Sequence, residues 1–233
     1  MARIILYTAH HCPFAHRVQI AIRELQLPFE EELVDITVPR TKEFLAVNPA
    51  GMVPALSYGG MLLTESELIV KFLLDSHSSH LLMGSTEPSG PVQRFRMGFF
   101  IDTFFGKVHP VFDRIVYANG VIAKNAAVDE YVNAVAKHAE PLLSNATPFF
   151  GSAEHLTLVE VLTGPFLLRV LKYPNHNMLV PARLLDDIQQ TAPKFWEWAQ
   201  AVTSQPSVLS VWDEDLVVTR TLEKVEKQRS MLK

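Results

Sequence analysis

The sequence predicts a chain of two domains, an α/β domain followed by an all-helical one. Three observations indicate this division. From Arg3 to about Leu82 short strand and helix patterns alternate, small and turn-forming residues then fill the stretch 83–91, and beyond it only helical periodicity persists. We therefore expect an α/β domain over residues 1–82, a linker over residues 83–91 and a helical domain over residues 92–233.

The first strand pattern, Ile4-Ile5-Leu6-Tyr7-Thr8, leads to the only cysteine of the chain, Cys12. Pro13 follows it and suits the first position of a helix, because its ring presets φ and its missing N–H would have no partner there. The helix pattern ends at Leu27-Pro28. Its apolar residues at helical spacing are Val18, Ala21, Ile22 and Leu25. We expect a strand, a thiol and a helix in that order.

The remaining elements of the first domain continue the alternation. Gly59-Gly60 is a strong signal for a two-residue hairpin loop between two apolar runs. The predicted elements are a strand around Phe29 to Asp35, a helix from about Arg40 to Val47, and hairpin strands at Ala55 to Tyr58 and Met61 to Leu63.

A last helix of this domain is predicted from the run Thr64-Glu65-Ser66-Glu67. Thr64 and Glu67 have the spacing of a capping box. Leu68, Phe72 and Leu73 are then expected on the buried face of the helix.

The second domain shows only helix patterns. Thr157-Leu158-Val159-Glu160 is a further capping-box pattern, and Pro110 and Pro165 are expected to kink or reset their helices. The predicted helices span Val92 to Tyr117, Ala126 to Leu143, Thr157 to Leu171, Ala182 to Thr203, and a fifth from Ser207 towards the end.

Composition narrows the classes of function. The chain has 233 residues, is 48% apolar and carries a net charge of −4, which argues against a nucleic-acid partner. No apolar run reaches the roughly 18 residues of a membrane span, and no signal-peptide pattern opens the chain, so we expect a cytoplasmic protein without a membrane span. With one cysteine, any disulfide must join Cys12 to another molecule.

The position of Cys12 predicts a reactive thiol. At the first turn of a helix, unpaired N–H groups and the positive end of the helix dipole stabilise a thiolate. The basic neighbours His10, His11, His16 and Arg17 suit an accessible thiol in an electropositive environment. Two alternatives remain: a small buried hydrophobe, which is the usual role of a lone cysteine, and a zinc site made with the histidines. Against zinc, no second Cys/His pair lies downstream at ligand spacing, so we expect no metal.

Taken together, these motifs resemble the cytosolic glutathione transferase family. They are an N-terminal strand, the run CPFAHR, a Val53-Pro54 step before a strand, a Glu65-Ser66 helix start and a helical second domain. The run CPFAHR is most similar to the cysteine-bearing omega class. The resemblance covers essentially the whole chain and implies a thioredoxin-like first domain that binds glutathione, with a helical domain that forms the wall of an acceptor site.

The resemblance also implies roles for individual residues. Val53, before a cis Pro54, would pair through its backbone with the cysteinyl segment of glutathione, and Arg40 would lie near the glycine carboxylate. Glu65 and Ser66 would hold the γ-glutamyl end, which agrees with an anion for the α-ammonium and a helix N-terminus for the carboxylate; ordinary helix capping is the alternative. Phe14 would lie beside the sulfur. The expected acceptor-site residues are Pro13, Arg17, Phe112, Tyr117 and Trp212.

We expect a homodimeric enzyme with glutathione as co-substrate and a small electrophilic, disulfide or glutathionylated acceptor. Cys12 would form a mixed disulfide with glutathione, as in deglutathionylation or dehydroascorbate reduction, and a second glutathione would release it. The alternatives are conjugation of glutathione to electrophiles, and a non-catalytic ligand-binding protein or a relative of the intracellular chloride channel proteins.

Overall fold

The computed structural model of the chain describes residues 2–231, which form two compact units. The first unit comprises the chain up to Ser79 together with Pro206–Trp212. The second comprises His80–Gln205 and the chain from Asp213 onward. The return of Pro206–Trp212 to the first unit was not predicted from the sequence.

A four-stranded mixed sheet forms the centre of the first unit, in the order β2-β1-β3-β4. Strand β1 pairs in parallel with β2 and antiparallel with β3, which pairs antiparallel with β4. This sheet with its helices is the predicted thioredoxin-like architecture. The elements are β1 (Ile4–Thr8), α1 (Pro13–Glu24), β2 (Glu30–Leu33), α2 (Lys42–Val47), β3 (Ala55–Tyr58), β4 (Met61–Thr64) and α3 (Ser66–Ser76).

The hairpin between β3 and β4 forms around the predicted glycine pair. Gly59 and Gly60 have φ values of 57° and 89°. A two-residue loop with positive φ at both positions matches the right-handed twist of the strands it joins, and glycine adopts that conformation without a Cβ clash. The hairpin prediction is confirmed.

The start of α3 differs from the prediction. Thr64 is the last residue of β4, and Glu67 pairs with Lys71 one turn further along the helix at 2.6 Å, so these residues form no capping box. The helix begins at Ser66, and its buried face differs from the predicted one. Leu68 is 62% exposed and Phe72 is half-buried. The residues that α3 buries are Ser66, Ile69, Val70, Leu73 and Leu74.

The second unit is helical, as predicted, although its helix boundaries differ. The predicted helix over 182–203 is two helices, because Pro193 occupies the first turn of the second one after a break at Ala192. Two π-helical turns, Phe104–Val108 and Val135–Ala139, extend helices that the sequence pattern treated as regular. The α-helices are α4 (Gly90–Thr103), α5 (His109–Tyr117), α6 (Val121–Ala134), α7 (Leu158–Lys172), α8 (Arg183–Thr191) and α9 (Pro193–Thr203), then α10 (Pro206–Leu209) in the first unit and α11 (Glu214–Met231).

Two other expectations about the second unit meet different outcomes. Pro165 lies inside α7, which continues through it to Lys172 without a reset. Helix α4 begins at Gly90, inside the predicted linker. A Cβ at position 90 would stand 1.9 Å from the carbonyl oxygen of Gly84, so the chain accepts only glycine at this close approach.

The capping box at the start of α7 is confirmed and forms part of a larger network. Glu160 is fully buried and accepts hydrogen bonds from the backbone N–H and hydroxyl of Thr157 at 2.8 and 2.6 Å. Its other oxygen accepts from the backbone N–H of Phe150 at 2.8 Å and from Nε1 of Trp198 at 2.7 Å. The carboxylate therefore joins α7, the segment before it and α9.

Tyr131 on α6 allows a test of the helical core. Its hydroxyl is buried and has no hydrogen-bond partner within residues 2–231, while its ring packs 5.4 Å from that of Phe112. Burying a hydroxyl without a partner is unfavourable. We expect Tyr131→Phe to raise the melting temperature by about 2–4 °C, equivalent to about 1 kcal/mol, in a calorimetric scan. A lowered melting temperature would show that the hydroxyl is hydrogen-bonded in solution.

Two features are absent from residues 2–231. No helix there is both long and apolar enough to cross a membrane. In the same residues, no three His, Cys, Asp or Glu side chains lie close enough together to hold a metal ion.

Candidate functional site

Cys12 occupies the N-cap of α1, with Pro13 at the first helical position. Its backbone is extended (φ −86°, ψ 117°), and its carbonyl accepts the first intrahelical bond from the N–H of His16 at 3.1 Å. The thiol makes no capping hydrogen bond to its own helix. The helix start thus holds the sulfur by the backbone, and the side chain has no structural duty as a cap.

The surroundings of the thiol differ from the expected basic, open site. Cys12 is only 8% exposed and packs in an apolar cluster with Ala9, Ala15, Phe44 and Val53. The bases predicted to surround it are directed elsewhere or enclosed: Nε2 of His10 lies 3.0 Å from a carboxylate oxygen of Glu31, and His16 is 1% exposed.

The Val53-Pro54 peptide bond is cis, as the resemblance implied. The carbonyl oxygen of Val53 lies 3.9 Å from Sγ of Cys12, within reach of a weak thiol hydrogen bond. The fold therefore brings two motifs that are 41 residues apart in the sequence to one place. The main chain before Pro54 borders the sulfur.

Arg17 lies between Phe14 and Ser66. Its guanidinium carbon stands 5.1 Å from the centre of the Phe14 ring, and Nη1 donates a hydrogen bond to Oγ of Ser66 at 3.1 Å. The side chain is 5% exposed, whereas Phe14 is 46% exposed and covers it. Sequence reasoning missed this link because Arg17 and Ser66 are 49 residues apart and no local pattern joins them.

Burial lowers the pKa of Arg17 to about 10. The charges of Glu67 and Cys12 act in the opposite direction. Arg17 is therefore a buried cation within electrostatic range of the thiol, and it supplies the positive environment that the histidines were expected to supply.

Glu65 adopts an unusual backbone conformation directly before α3. Its φ is +66°, in a region that residues with a side chain seldom occupy, and its side chain is exposed and makes no capping bond to the helix. Such strain costs on the order of 1–3 kcal/mol and tends to occur at functional sites. Ordinary helix capping was the alternative role for Glu65, and its side chain does not cap the helix.

Arg40 organises the loop before α2. Its Nε donates to the carbonyl oxygen of Gly51 at 2.8 Å, and Nη1 donates to those of Val38 and Asp35 at 2.6 and 3.2 Å. The third nitrogen, Nη2, makes no hydrogen bond within residues 2–231. The guanidinium is thus fixed by the loop while one nitrogen can still donate to a ligand.

The expected acceptor-site residues occupy different environments. Phe112 is 2% exposed in the helical unit, with its ring 5.4 Å from Tyr131 and 6.2 Å from Tyr173, as in a packed core. Tyr117 is half-buried, with Nζ of Lys224 5.8 Å from its ring centre.

The other three expected acceptor-site residues belong to the first unit. Pro13 is half-buried beside the thiol, and Arg17 faces Ser66. Trp212 is half-buried in the returning segment, where its backbone N–H donates to the carbonyl of Leu209 at 3.0 Å.

Comparison with known proteins gives one consistent family. Residues 11–76, which contain Cys12, Val53 and Ser66, match the family described as "Glutathione S-transferase, N-terminal domain". The crystal structure of glutathione transferase Omega 1C from Trametes versicolor is 25% identical and superposes with a TM-score of 0.80 over 97% of this chain and 98% of that one.

Two curated relatives extend the comparison. Glutathione S-transferase L1 of Arabidopsis thaliana is 29% identical over 70% of this chain and 65% of its own length. Pyrimidodiazepine synthase of Drosophila melanogaster is 22% identical over 90% of this chain and 80% of its own. The names of these relatives cover different reactions, so the likeness identifies a family and leaves the reaction open. Residues 11–76 therefore carry the N-terminal domain of the glutathione S-transferase family, and the chain as a whole has the fold of a solved glutathione transferase.

Proposed function

We propose that this chain is an omega-like glutathione transferase that acts as a glutathione-dependent thiol transferase or reductase. The observation that carries the proposal is the position of Cys12, a thiol at the start of α1 with no capping bond, bordered by the carbonyl of Val53 and in range of the charge of Arg17. A transferase that only activates the thiol of glutathione needs a hydroxyl at this place. A cysteine can itself become bonded to glutathione.

The reaction proceeds by two thiol–disulfide exchanges. The Cys12 thiolate attacks the glutathione sulfur of a mixed disulfide, the Cys12–glutathione bond forms, and the acceptor thiol leaves and takes a proton. A second glutathione, as thiolate, then attacks the same sulfur, which yields oxidised glutathione and restores the Cys12 thiolate. The chain contains one cysteine, so no second residue can resolve the intermediate.

The residues around the thiol suit each part of glutathione. The buried Ser66 at the N-terminus of α3 offers its hydroxyl and backbone N–H groups to the γ-glutamyl carboxylate. The exposed carboxylate of Glu65, kept out of a capping role by its backbone, suits the α-ammonium. Nη2 of Arg40 suits the glycine carboxylate, and the main chain at Val53 suits the cysteinyl peptide.

The proposal includes a small disulfide or glutathionylated acceptor and a two-fold dimer in the cytoplasm. An apolar face of α4 supports the dimer: Phe95 and Phe99 are 71% and 52% exposed and stack with their ring centres 6.3 Å apart, and Val92 beside them is 54% exposed. Such a face is more stable when covered by a partner than in water.

Incubation with oxidised glutathione tests the proposal directly. We expect the intact protein to gain the mass of one glutathione, located at Cys12 by peptide mass spectrometry, and to lose it again in excess reduced glutathione. The measurement is repeated on protein unfolded in guanidinium, in which every thiol is accessible. Modification of only the unfolded protein would show that Cys12 is a buried structural residue.

A further inference from the structure

The side chain of Arg17 connects the starts of two helices in the first unit. Arg17 lies one turn into α1, whose N-cap is Cys12, and its Nη1 reaches Ser66, the first residue of α3. Side chains on a helix point back toward its N-terminus, which directs the guanidinium to this end of α1. The sequence placed Arg17 among the acceptor-site residues, whereas its contact is with the residue expected to bind the γ-glutamyl group.

A cation in this position is electrostatically unfavourable unless anions are close. The N-terminus of a helix carries a partial positive charge. Arg17 is only 5% exposed and lies close to the N-termini of both α1 and α3. Burial is the largest influence on its pKa and lowers it to about 10, while Glu67 and Cys12 favour the charged form. A further anion bound at Ser66 would stabilise the guanidinium more.

The hydrogen bond to Arg17 also determines what Ser66 can donate. A guanidinium is only a donor, so the Ser66 oxygen is the acceptor in the 3.1 Å contact. The hydroxyl hydrogen must therefore point away from Arg17. A positive charge behind the oxygen strengthens that hydrogen as a donor to an anion.

We propose that Arg17 is a positioning residue for glutathione, which orients and polarises the Ser66 hydroxyl to bind the α-carboxylate of the γ-glutamyl group. Phe14 holds the guanidinium from the other side, one turn earlier on the same helix face. Arg17 thus acts through Ser66 and need not touch the ligand. This inference rests on the proposed function, because it assigns a role within the same glutathione site.

The test is a double-mutant cycle of Arg17→Gln and Ser66→Ala, measured by titration calorimetry with S-methylglutathione, which cannot form a disulfide. Each single substitution should raise the Kd about tenfold, the value of one hydrogen bond to a charged group. The double variant should bind about as weakly as Ser66→Ala alone, since both changes remove the same interaction. Effects that multiply to about a hundredfold would overturn the inference.

A second ligand separates positioning from general structural support. The analogue with 4-aminobutyrate in place of the γ-glutamyl residue lacks the α-carboxylate, and Arg17→Gln should leave its Kd unchanged. An equal loss for both ligands would contradict the proposal. Arg23→Gln is the matched control. Arg23 lies on the same helix, donates to the backbone oxygen of Gln19 at 3.2 Å and packs on Phe29. The Arg23→Gln variant should bind both ligands with the Kd of the wild type.

Arg17→Lys keeps the test decisive if Arg17→Gln does not fold. Lysine keeps the charge and loses the planar fork, so we expect a Kd raised about threefold and the same lack of additivity with Ser66→Ala. An unchanged Kd, or independent effects, would overturn the inference. Failure of the wild type itself to bind S-methylglutathione would instead contradict the proposed function, so the two failures are distinguishable.

Discussion

Replacing Cys12 by serine should abolish the reduction of glutathione mixed disulfides. Serine keeps the size of the side chain, but its hydroxyl is not ionised near neutral pH and cannot form a disulfide with glutathione. We expect the rate to fall by a factor on the order of 1000 or more, measured as oxidised glutathione formed from a glutathionylated peptide. The variant should also gain no mass in oxidised glutathione.

Binding of S-methylglutathione distinguishes a lost nucleophile from a damaged site. The contacts proposed for glutathione at Val53, Glu65 and Ser66 do not involve Cys12, so the Kd of Cys12→Ser should stay within about threefold of the wild type. The new hydroxyl could instead donate a hydrogen bond to the thiolate of glutathione, and conjugation of an aryl halide should then appear or rise. Full retention of mixed-disulfide reduction by Cys12→Ser would refute the proposed mechanism.

The parts of the fold that local chemistry determines were predicted from the sequence. Pro13 marked the start of α1, Gly59-Gly60 marked the β3–β4 loop, and Thr157 with Glu160 marked the start of α7, and each of these lies where it was expected. In every case the signal and the structure it specifies are within four residues of each other.

The errors arose where a local signal competed with a neighbouring element. Thr64 had the spacing of an N-cap but pairs with Ala55 as the last residue of β4, so sheet pairing prevailed over capping. The helix pattern over 182–203 continued across Pro193, although a proline there is also the ordinary mark of a new helix start. The amphipathic pattern could not decide between one helix and two.

The candidate site shows the same limit at longer range. The residue types at positions 12, 53, 65 and 66 indicated glutathione chemistry through the resemblance, but the contact from Arg17 to Ser66 depends on how α1 and α3 pack. The sequence also suggested that histidines surround the thiol with positive charge, whereas the pairing of His10 with Glu31 follows from β2 lying beside β1. Which distant residue a side chain contacts depends on how the fold packs the two segments together, and the sequence alone does not show this.

Glu160 should be among the most important residues for the stability of the helical unit, because four donors depend on one buried carboxylate. Burial raises its pKa, and the hydrogen bonds from Thr157, Trp198 and Phe150 oppose that shift. Glu160→Ala leaves these donors buried without an acceptor and releases the Trp198 ring, which packs 5.4 Å from Phe100. We expect a loss of about 3 kcal/mol, seen as a melting temperature lowered by about 6–12 °C.

Glu140→Ala is the matched control for a carboxylate that is less buried. Glu140 accepts from the backbone N–H groups of Lys194 and Phe195 at 3.1 and 2.8 Å, and so caps α9 from outside that helix. Its loss should cost about 1 kcal/mol, as for other helix caps, or about 2–4 °C. Glu160→Gln keeps the volume and one acceptor oxygen, and should melt between Glu160→Ala and the wild type. The two sites differ in that the donors to Glu160 are completely buried. Equal losses of stability for Glu160→Ala and Glu140→Ala would therefore show that the buried network contributes no more than an ordinary helix cap.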